Sequence, residues 1–205
     1  MSPRASRERQ AASGGPVRVP GSETRQRATP RIPTALIKRA KAVKLLVLDV
    51  DGILTDGRML YSADGEQMAF HILDGHGIKL ALRCGLSLAI ISGRESSMVT
   101  RRARELGVEE VHQRVLDKLP VFESLLLRKG LTASQVACMG DDLLDLSLLL
   151  RAGLAITVPG AVDEIRAAAH FETRRPGGEG AVREAIEFLL KAQGHWPAVV
   201  ERYRR

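Results

Sequence analysis

The chain has 205 residues, enough for one domain with a real hydrophobic core and a tail. Apolar residues make up 44% of it and aromatics only 3%, so Leu, Val, Ile and Ala must fill the core, and base-stacking platforms for single-stranded nucleic acid are argued against. The net charge is +7, but residues 1–41 hold ten Lys and Arg against two Glu, a net of +8, while residues 42–205 hold 21 basic and 22 acidic residues, a net of −1. The basicity therefore belongs to the tail, and nucleic acid is not expected as a partner. A membrane is not expected either, because no apolar run approaches the roughly 20 residues that span a bilayer.

Residues 1–41 are rich in Arg, Ser, Gly and Pro without hydrophobic periodicity, the composition of a disordered basic N-terminal extension. An organelle transit peptide is also Arg-rich and acid-poor, but clear amphipathicity is missing here, as is the apolar segment of a secretory signal. Ala35–Ala42 is expected as a short lead-in helix. Residues 42–193 form the expected domain and 194–205 a C-terminal tail. Cys84 and Cys138 are too few and too isolated for a disulfide framework or a zinc site, and both sit in apolar contexts, which suggests buried thiols in a reducing, cytoplasmic setting.

The domain opens on Lys44-Leu45-Leu46-Val47-Leu48-Asp49-Val50-Asp51-Gly52-Ile53-Leu54-Thr55-Asp56. An unbroken apolar run is the pattern of a strand buried on both faces of a parallel sheet. It ends in two aspartates one residue apart with a glycine behind them. In an open α/β sheet ligands bind beyond the carboxyl ends of the strands, and paired carboxylates there are costly unless a cation shares the site. A hairpin follows, with Ser62-Ala63-Asp64-Gly65-Glu66 as its turn between short apolar-containing runs, projecting over the site as a small flap.

Asp74-Gly75-His76-Gly77 opens a helix over Ile78–Cys84, whose N-terminus could hold an anion. From Ser87 the pattern alternates as βαβ units do. Strands are expected at 87–91, 110–112, 135–139, 154–158 and 170–173. Helices are expected at 98–106, closed by Gly107, then at 118–129, 143–151, 162–169 and 181–192. The fold class is α/β: a doubly wound, Rossmann-like parallel sheet with a β-hairpin flap and no cap domain.

Four polar features fall at or just after successive strand ends: Asp49 with Asp51, Ser92, Lys118, and Asp141 with Asp142. Singly each has a bland explanation. An Asp-x-Asp can be a polar strand end, a Ser before Gly a turn or cap residue, and a Lys at a helix start solvent-facing. Together, Asp-x-Asp-Gly-x-x-Thr, Ser-Gly, Lys and Gly-Asp-Asp-x-x-Asp (completed by Asp145) resemble the haloacid dehalogenase superfamily of phosphatases. That resemblance implies Asp49 as nucleophile and Asp51 as general acid and base, with Ser92 and Lys118 holding the transferring phosphoryl oxygens. It also implies Mg²⁺ on the Asp49 and Asp141 carboxylates and the Asp51 backbone carbonyl, with Thr55, Asp142 and Asp145 supporting the site.

The flanking segments Ala69–Lys79, Ser92-Gly93-Arg94 and Gly177–Glu184 look like the 3-deoxy-D-manno-octulosonate 8-phosphate phosphatase family. This second resemblance implies a capless homotetramer assembled through the hairpin. Asp51, His71, Ile72, Leu73, Asp74, Gly75, Lys79, Arg94, Arg102 and Lys118 would face a phosphorylated sugar acid. Gly177, Gly178, Gly180 and Arg183 would pack against a neighbouring subunit's site. Arg102 also reads as part of a solvated helix face, flanked by Arg101 and Arg104. Leu73 replaces a residue that is usually basic in that family, and Glu179 replaces the Arg of a frequent Gly-Gly-Arg-Gly. The substrate therefore stays open between this eight-carbon sugar acid and nine-carbon ones such as 2-keto-3-deoxynonulosonate or N-acylneuraminate 9-phosphate.

Two other classes compete. A receiver domain also forms an aspartyl-phosphate with Mg²⁺, but its paired acids are adjacent and its Lys comes late, whereas here the acids alternate and Lys118 precedes Asp141. A non-catalytic oligomerising module would need neither Asp49 nor Asp51.

Overall fold

The structure is a computed structural model that describes residues 32–63 and 65–204. Six strands form one parallel sheet in the order β5-β4-β1-β6-β7-β8: β1 (Leu45–Leu48), β4 (Ser87–Ile91), β5 (Glu110–His112), β6 (Val136–Met139), β7 (Leu154–Thr157) and β8 (Phe171–Glu172). The chain leaves β1 toward β4 and β5, then crosses back to β6 on β1's other side. Strand order therefore reverses at β1, and such a switch point leaves a crevice beyond the strands' carboxyl ends.

All four residues of β1, β6 and β7 are buried, which accounts for their continuous apolar runs. The core is aliphatic as the composition requires, with Phe122 and Phe188 the only aromatics among its buried members in the described residues. Helices flank the sheet in two groups. In one, α7 (Ala181–Ala192) packs on α1 (Thr34–Ala42) and α2 (Ile72–Arg83), and α2 also meets α3 (Ser97–Leu106). In the other, α4 (Lys118–Lys129) packs on α5 (Leu146–Arg151), and α5 on α6 (Asp163–Ala168).

The expected lead-in helix forms as α1, and it packs on the body although it lies inside the stretch assigned to the extension: Ala40 is buried and Arg39 donates to the Gly153 carbonyl at 2.6 Å. Residues 1–31 of that extension lie outside the described residues. Other elements differ from the sequence reading. The segment assigned to a C-terminal tail contains helix α8 (Trp196–Arg202). The expected helix 143–151 is divided into a 3₁₀ turn, Leu143–Asp145, followed by α5.

Helix α2 starts at Ile72 and not at Ile78. The His71 ring caps it by accepting from the Leu73 amide, and Gly75 and Gly77 sit inside it despite their low helix propensity. Tertiary packing explains both glycines. A methyl at Gly75 would overlap the Arg102 guanidinium, and one at Gly77 would crowd Arg183. The hairpin pairs β2 (Leu60–Ser62) with β3 (Gly65–Gln67) next to its expected turn; Asp64 lies outside the described residues.

Candidate active site

Asp49 follows β1 directly, and its amide donates to the Met139 carbonyl at 3.0 Å, which ties the β1 end to the β6 end. The next residues form a tight loop: the amides of Ile53, Leu54 and Thr55 all converge on the Val50 carbonyl, at 3.2, 2.8 and 3.1 Å. Thr55, buried, accepts from the Gly57 amide at 3.3 Å and so braces that loop from within. Gly52 has φ +78°, the left-handed region where glycine is favoured, and a methyl there would overlap the Asp141 carboxylate.

Lys118, at the first position of α4, is only 1% exposed, and its Nζ donates to Asp49 Oδ1 at 2.8 Å and to Asp145 Oδ1 at 2.6 Å. The other oxygen of Asp145 accepts from the Asp141 and Asp142 amides at 3.1 and 3.4 Å. Asp145 therefore fixes Lys118 and the loop after β6 together. Asp142 caps the following turn, accepting from the Leu143 amide at 2.8 Å. Ser92, buried at the end of β4, accepts from the Arg94 amide at 3.3 Å. Arg94 Nη1 donates to both oxygens of Asp51, at 3.2 and 3.3 Å, and its Nη2 donates to Glu66 Oε1 in β3 at 2.6 Å. One cavity of about 360 Å³ is lined by Asp49, Asp51, Ser92, Arg94, Lys118 and Asp141, together with Leu116 and Leu144.

The profile of the haloacid dehalogenase-like hydrolases matches residues 106–186. The 3-deoxy-D-manno-octulosonate 8-phosphate phosphatase KdsC of Escherichia coli strain K12 is 39% identical over 160 residues, covering 78% of this chain and 85% of the relative. The chain belongs to the 3-deoxy-D-manno-octulosonate 8-phosphate phosphatase family. It is a phosphoric monoester hydrolase of the haloacid dehalogenase superfamily. A crystal structure of the family enzyme from Moraxella catarrhalis, in complex with magnesium, phosphate and KDO, superposes with a TM-score of 0.81 at 42% identity, covering 82% of this chain and 97% of that one. A cobalt-bound structure of the Haemophilus influenzae enzyme gives a TM-score of 0.73 at 36% identity, covering 76% and 92%.

In this phosphatase the carboxylates are under-compensated. Burial, reinforced by the charge of Asp145 and only partly offset by Lys118, pushes Asp49 up to about 6. Burial and then repulsion from Asp49, Asp145 and Asp142 push Asp141 up to about 7. Asp141 Oδ1 is buried without a hydrogen-bond partner, and one oxygen each from Asp49, Asp141 and Asp145 lie within 4.8 Å of one another. An orphaned buried oxygen beside a second acid, with only oxygen donors, fits a hard divalent cation. Asp145 is already engaged by Lys118 and two amides, so Asp49 and Asp141 are the available carboxylates of that trio.

Not every residue expected around the substrate reaches this cavity. Asp51, Arg94 and Lys118 line it; His71, Ile72, Leu73, Asp74, Gly75, Lys79 and Arg102 do not. Asp74 is 1% exposed, and its two oxygens accept from the Gly180 amide at 3.2 Å and the Arg183 amide at 2.7 Å, so it pins the start of α7 to α2. Arg102 lies over the Phe70 ring, 5.9 Å from its centroid, and pairs with Glu105.

The Gly-rich loop makes its own contacts within the chain. Gly177 and Gly178 pack on the Gly52–Asp56 loop of their own chain, where a side chain at either would overlap backbone, and the Gly178 amide donates to the Ile53 carbonyl at 3.1 Å. Gly180, with φ +102°, precedes α7, and Arg183 pairs with Glu187 at 2.8 Å. The loop therefore buttresses the Gly52–Asp56 loop of its own chain. Glu66, Leu116 and Leu144 are site neighbours that the sequence reading missed. Glu66 follows the Asp64-Gly65 turn, but its reach to Arg94 leaves no local signature.

Proposed function

We propose that the chain is a Mg²⁺-dependent phosphatase that hydrolyses 3-deoxy-D-manno-octulosonate 8-phosphate to the free sugar acid and inorganic phosphate, supplying lipopolysaccharide synthesis in the cytoplasm. The observation that carries the reading is Asp49, half-buried at the β1 end beside the orphaned Asp141 oxygen and held by Lys118 at 2.8 Å. One Asp49 oxygen attacks phosphorus, the ester P–O bond breaks, and the leaving alkoxide takes a proton from the Asp51 carboxyl. The Asp51 carboxylate then accepts a proton from water as that water attacks phosphorus. The bond between Asp49 and phosphorus breaks, and phosphate leaves. Lys118 and the Ser92 hydroxyl hold the transferring phosphoryl oxygens, and Arg94 meets the substrate.

Asp49 and Asp141, with the Asp51 backbone carbonyl, would hold Mg²⁺, which when bound offsets the charge of the phosphoryl group and its carboxylate neighbours. Thr55, Asp142 and Asp145 hold these groups in place. A homotetramer built through the hairpin is supported by its exposed apolar side chains: Leu60 is 49% exposed, Tyr61 75%, and nearby Ile72 75%. Sugar-acid contacts by His71, Leu73, Asp74, Gly75, Lys79 and Arg102 would belong to that assembly. Leu73 and Glu179 bring no positive charge and keep a nine-carbon sugar acid as the second reading.

Phosphate release from octulosonate 8-phosphate and nonulosonate 9-phosphate, side by side, with Mg²⁺ or with EDTA, tests both readings. Release from the eight-carbon ester that EDTA abolishes is expected. Release from the nine-carbon ester alone would favour the second reading, and release from neither, nor from a broad sugar-phosphate panel, would refute both.

A further inference from the structure

Arg94 is held from two sides. Its Nη1 lies on the Asp51 carboxylate at the end of the catalytic strand, and its Nη2 lies 2.6 Å from Glu66 Oε1 in the hairpin. The cavity is already rich in negative charge: Asp49, Asp51, Asp141 and Asp142 line it against Lys118 and Arg94. Glu66, bonded to the cavity-lining Arg94, adds a further carboxylate that opposes the approach of an anionic substrate through like-charge repulsion, so it needs a compensating role.

The chemistry of arginine supplies one. The Arg94 side chain is 38% exposed, and on its long stem the guanidinium has several competing orientations. One acidic partner would leave it free to swivel about that partner. Two acids on different nitrogens of a planar fork fix its plane. The guanidinium carries more N–H groups than these two acids need, which leaves donors for a third anion.

We propose that Glu66 is a positioning residue: acting through Arg94, it sets the guanidinium that lines the cavity to receive the carboxylate of a phosphorylated sugar acid, and by the same bond it seats the hairpin on the loop after β4. This rests on the phosphatase reading above and adds the group that selects for the acid end of the substrate.

The test uses the full-length protein with Mg²⁺ and two substrates: octulosonate 8-phosphate and p-nitrophenyl phosphate, which has no carboxylate. Glu66→Gln, Glu66→Asp, Arg94→Met and the Glu66→Gln/Arg94→Met double variant are compared with wild type. Glu66→Gln is expected to raise KM for the sugar-acid phosphate about tenfold while kcat stays within about twofold. Both constants for p-nitrophenyl phosphate stay within about twofold in that variant. Glu66→Asp, which keeps the charge, brings KM back to within about threefold of wild type. In the Arg94→Met background, Glu66→Gln changes KM by less than about twofold, since the positioned group is gone.

An equal loss on both substrates, or the same loss without Arg94, would reduce Glu66 to a structural tether and overturn the proposal. A lowered KM would make Glu66 a competitor of the substrate and also overturn it. If wild type hydrolyses p-nitrophenyl phosphate but not octulosonate 8-phosphate, the substrate reading fails on wild type alone, and the assignment of Glu66 falls with it.

Discussion

Lys118 is the residue whose removal the structure prices most clearly. It is 1% exposed and bonds two carboxylates, Asp49 at 2.8 Å and Asp145 at 2.6 Å, which are themselves 12% and 5% exposed. Lys118→Met keeps much of the side-chain volume but leaves both acids buried without their cation. Breaking a buried pair in this way costs about 3–5 kcal/mol, a large part of the roughly 5–15 kcal/mol that holds a domain folded.

The penalty depends on pH. Asp49 already stands at about 6, above the unfolded carboxyl, and without Lys118 it rises further. A carboxyl whose folded value is raised binds more protons folded than unfolded, so its burden is greatest at high pH and fades as pH falls toward the unfolded value. Urea unfolding in EDTA, followed by circular dichroism, should show the Lys118→Met midpoint about 1.5–2.5 M below wild type near pH 8, taking an m-value of about 2 kcal/mol/M. Near about pH 5 the gap should narrow by at least half, because protons replace the missing cation. A midpoint within about 0.5 M of wild type at both pH values would refute this account of the buried triad.

Asp49→Asn should lower turnover by at least about a thousandfold with an unchanged circular dichroism spectrum, because an amide cannot act as the nucleophile; retained turnover would overturn that assignment. Gly52→Ala forces a left-handed backbone costing about 1–2 kcal/mol and drives a methyl into Asp141. Calorimetric titration should find its Mg²⁺ affinity reduced at least about tenfold while urea unfolding stays cooperative, and unchanged affinity would sink the cradle reading. Since protons and the cation compete for Asp49 (about 6) and Asp141 (about 7), Mg²⁺ binding should weaken steadily as pH falls from about 8 to about 6 and should release protons to the buffer. Binding that is flat across that range would contradict the raised carboxyls.

The parts of the fold that were legible share one property: they depend on local pattern. Continuous apolar runs marked β1, β6 and β7 because a strand buried on both faces has no polar side to show. Asp49, Asp51, Ser92, Lys118 and Asp141 were legible because each stands at or just beyond a strand end, and the sheet's order brings those ends to one cavity.

What was not legible depends on partners distant in the chain. Gly75 and Gly77 read as a break before a helix, yet they lie within α2 because Arg102 and Arg183 occupy the space of their missing side chains. Gly177 and Gly178 come onto their own Gly52–Asp56 loop through the close backbone approach that glycine permits, a contact that no local pattern announces. Asp74 carries two bonds to amides more than a hundred residues away, which its local sequence does not reveal. In each case the residue type signalled a close approach or a buried acceptor, while its partner was set by packing between segments distant in the chain.

These long-range contacts bear on the chemistry because they hold a strained electrostatic arrangement in place. Around the β1 end stand Asp49, Asp51, Asp141, Asp142 and Asp145, with Lys118 and Arg94 as the cations bonded to members of that group. Lys118 cannot neutralise Asp49 and Asp145 together, Arg94 is shared with Glu66, and Asp141 keeps an oxygen with no partner. Relaxation would turn Asp141 toward solvent or move the Gly52 loop away from it. The Gly178 amide on Ile53, the Thr55 brace and the Asp145 carboxylate on the Asp141 amide all oppose that movement. Rigid support around uncompensated charge is the condition under which a cation gains most from binding, because the reorganisation that would otherwise accompany its arrival has already been opposed by folding.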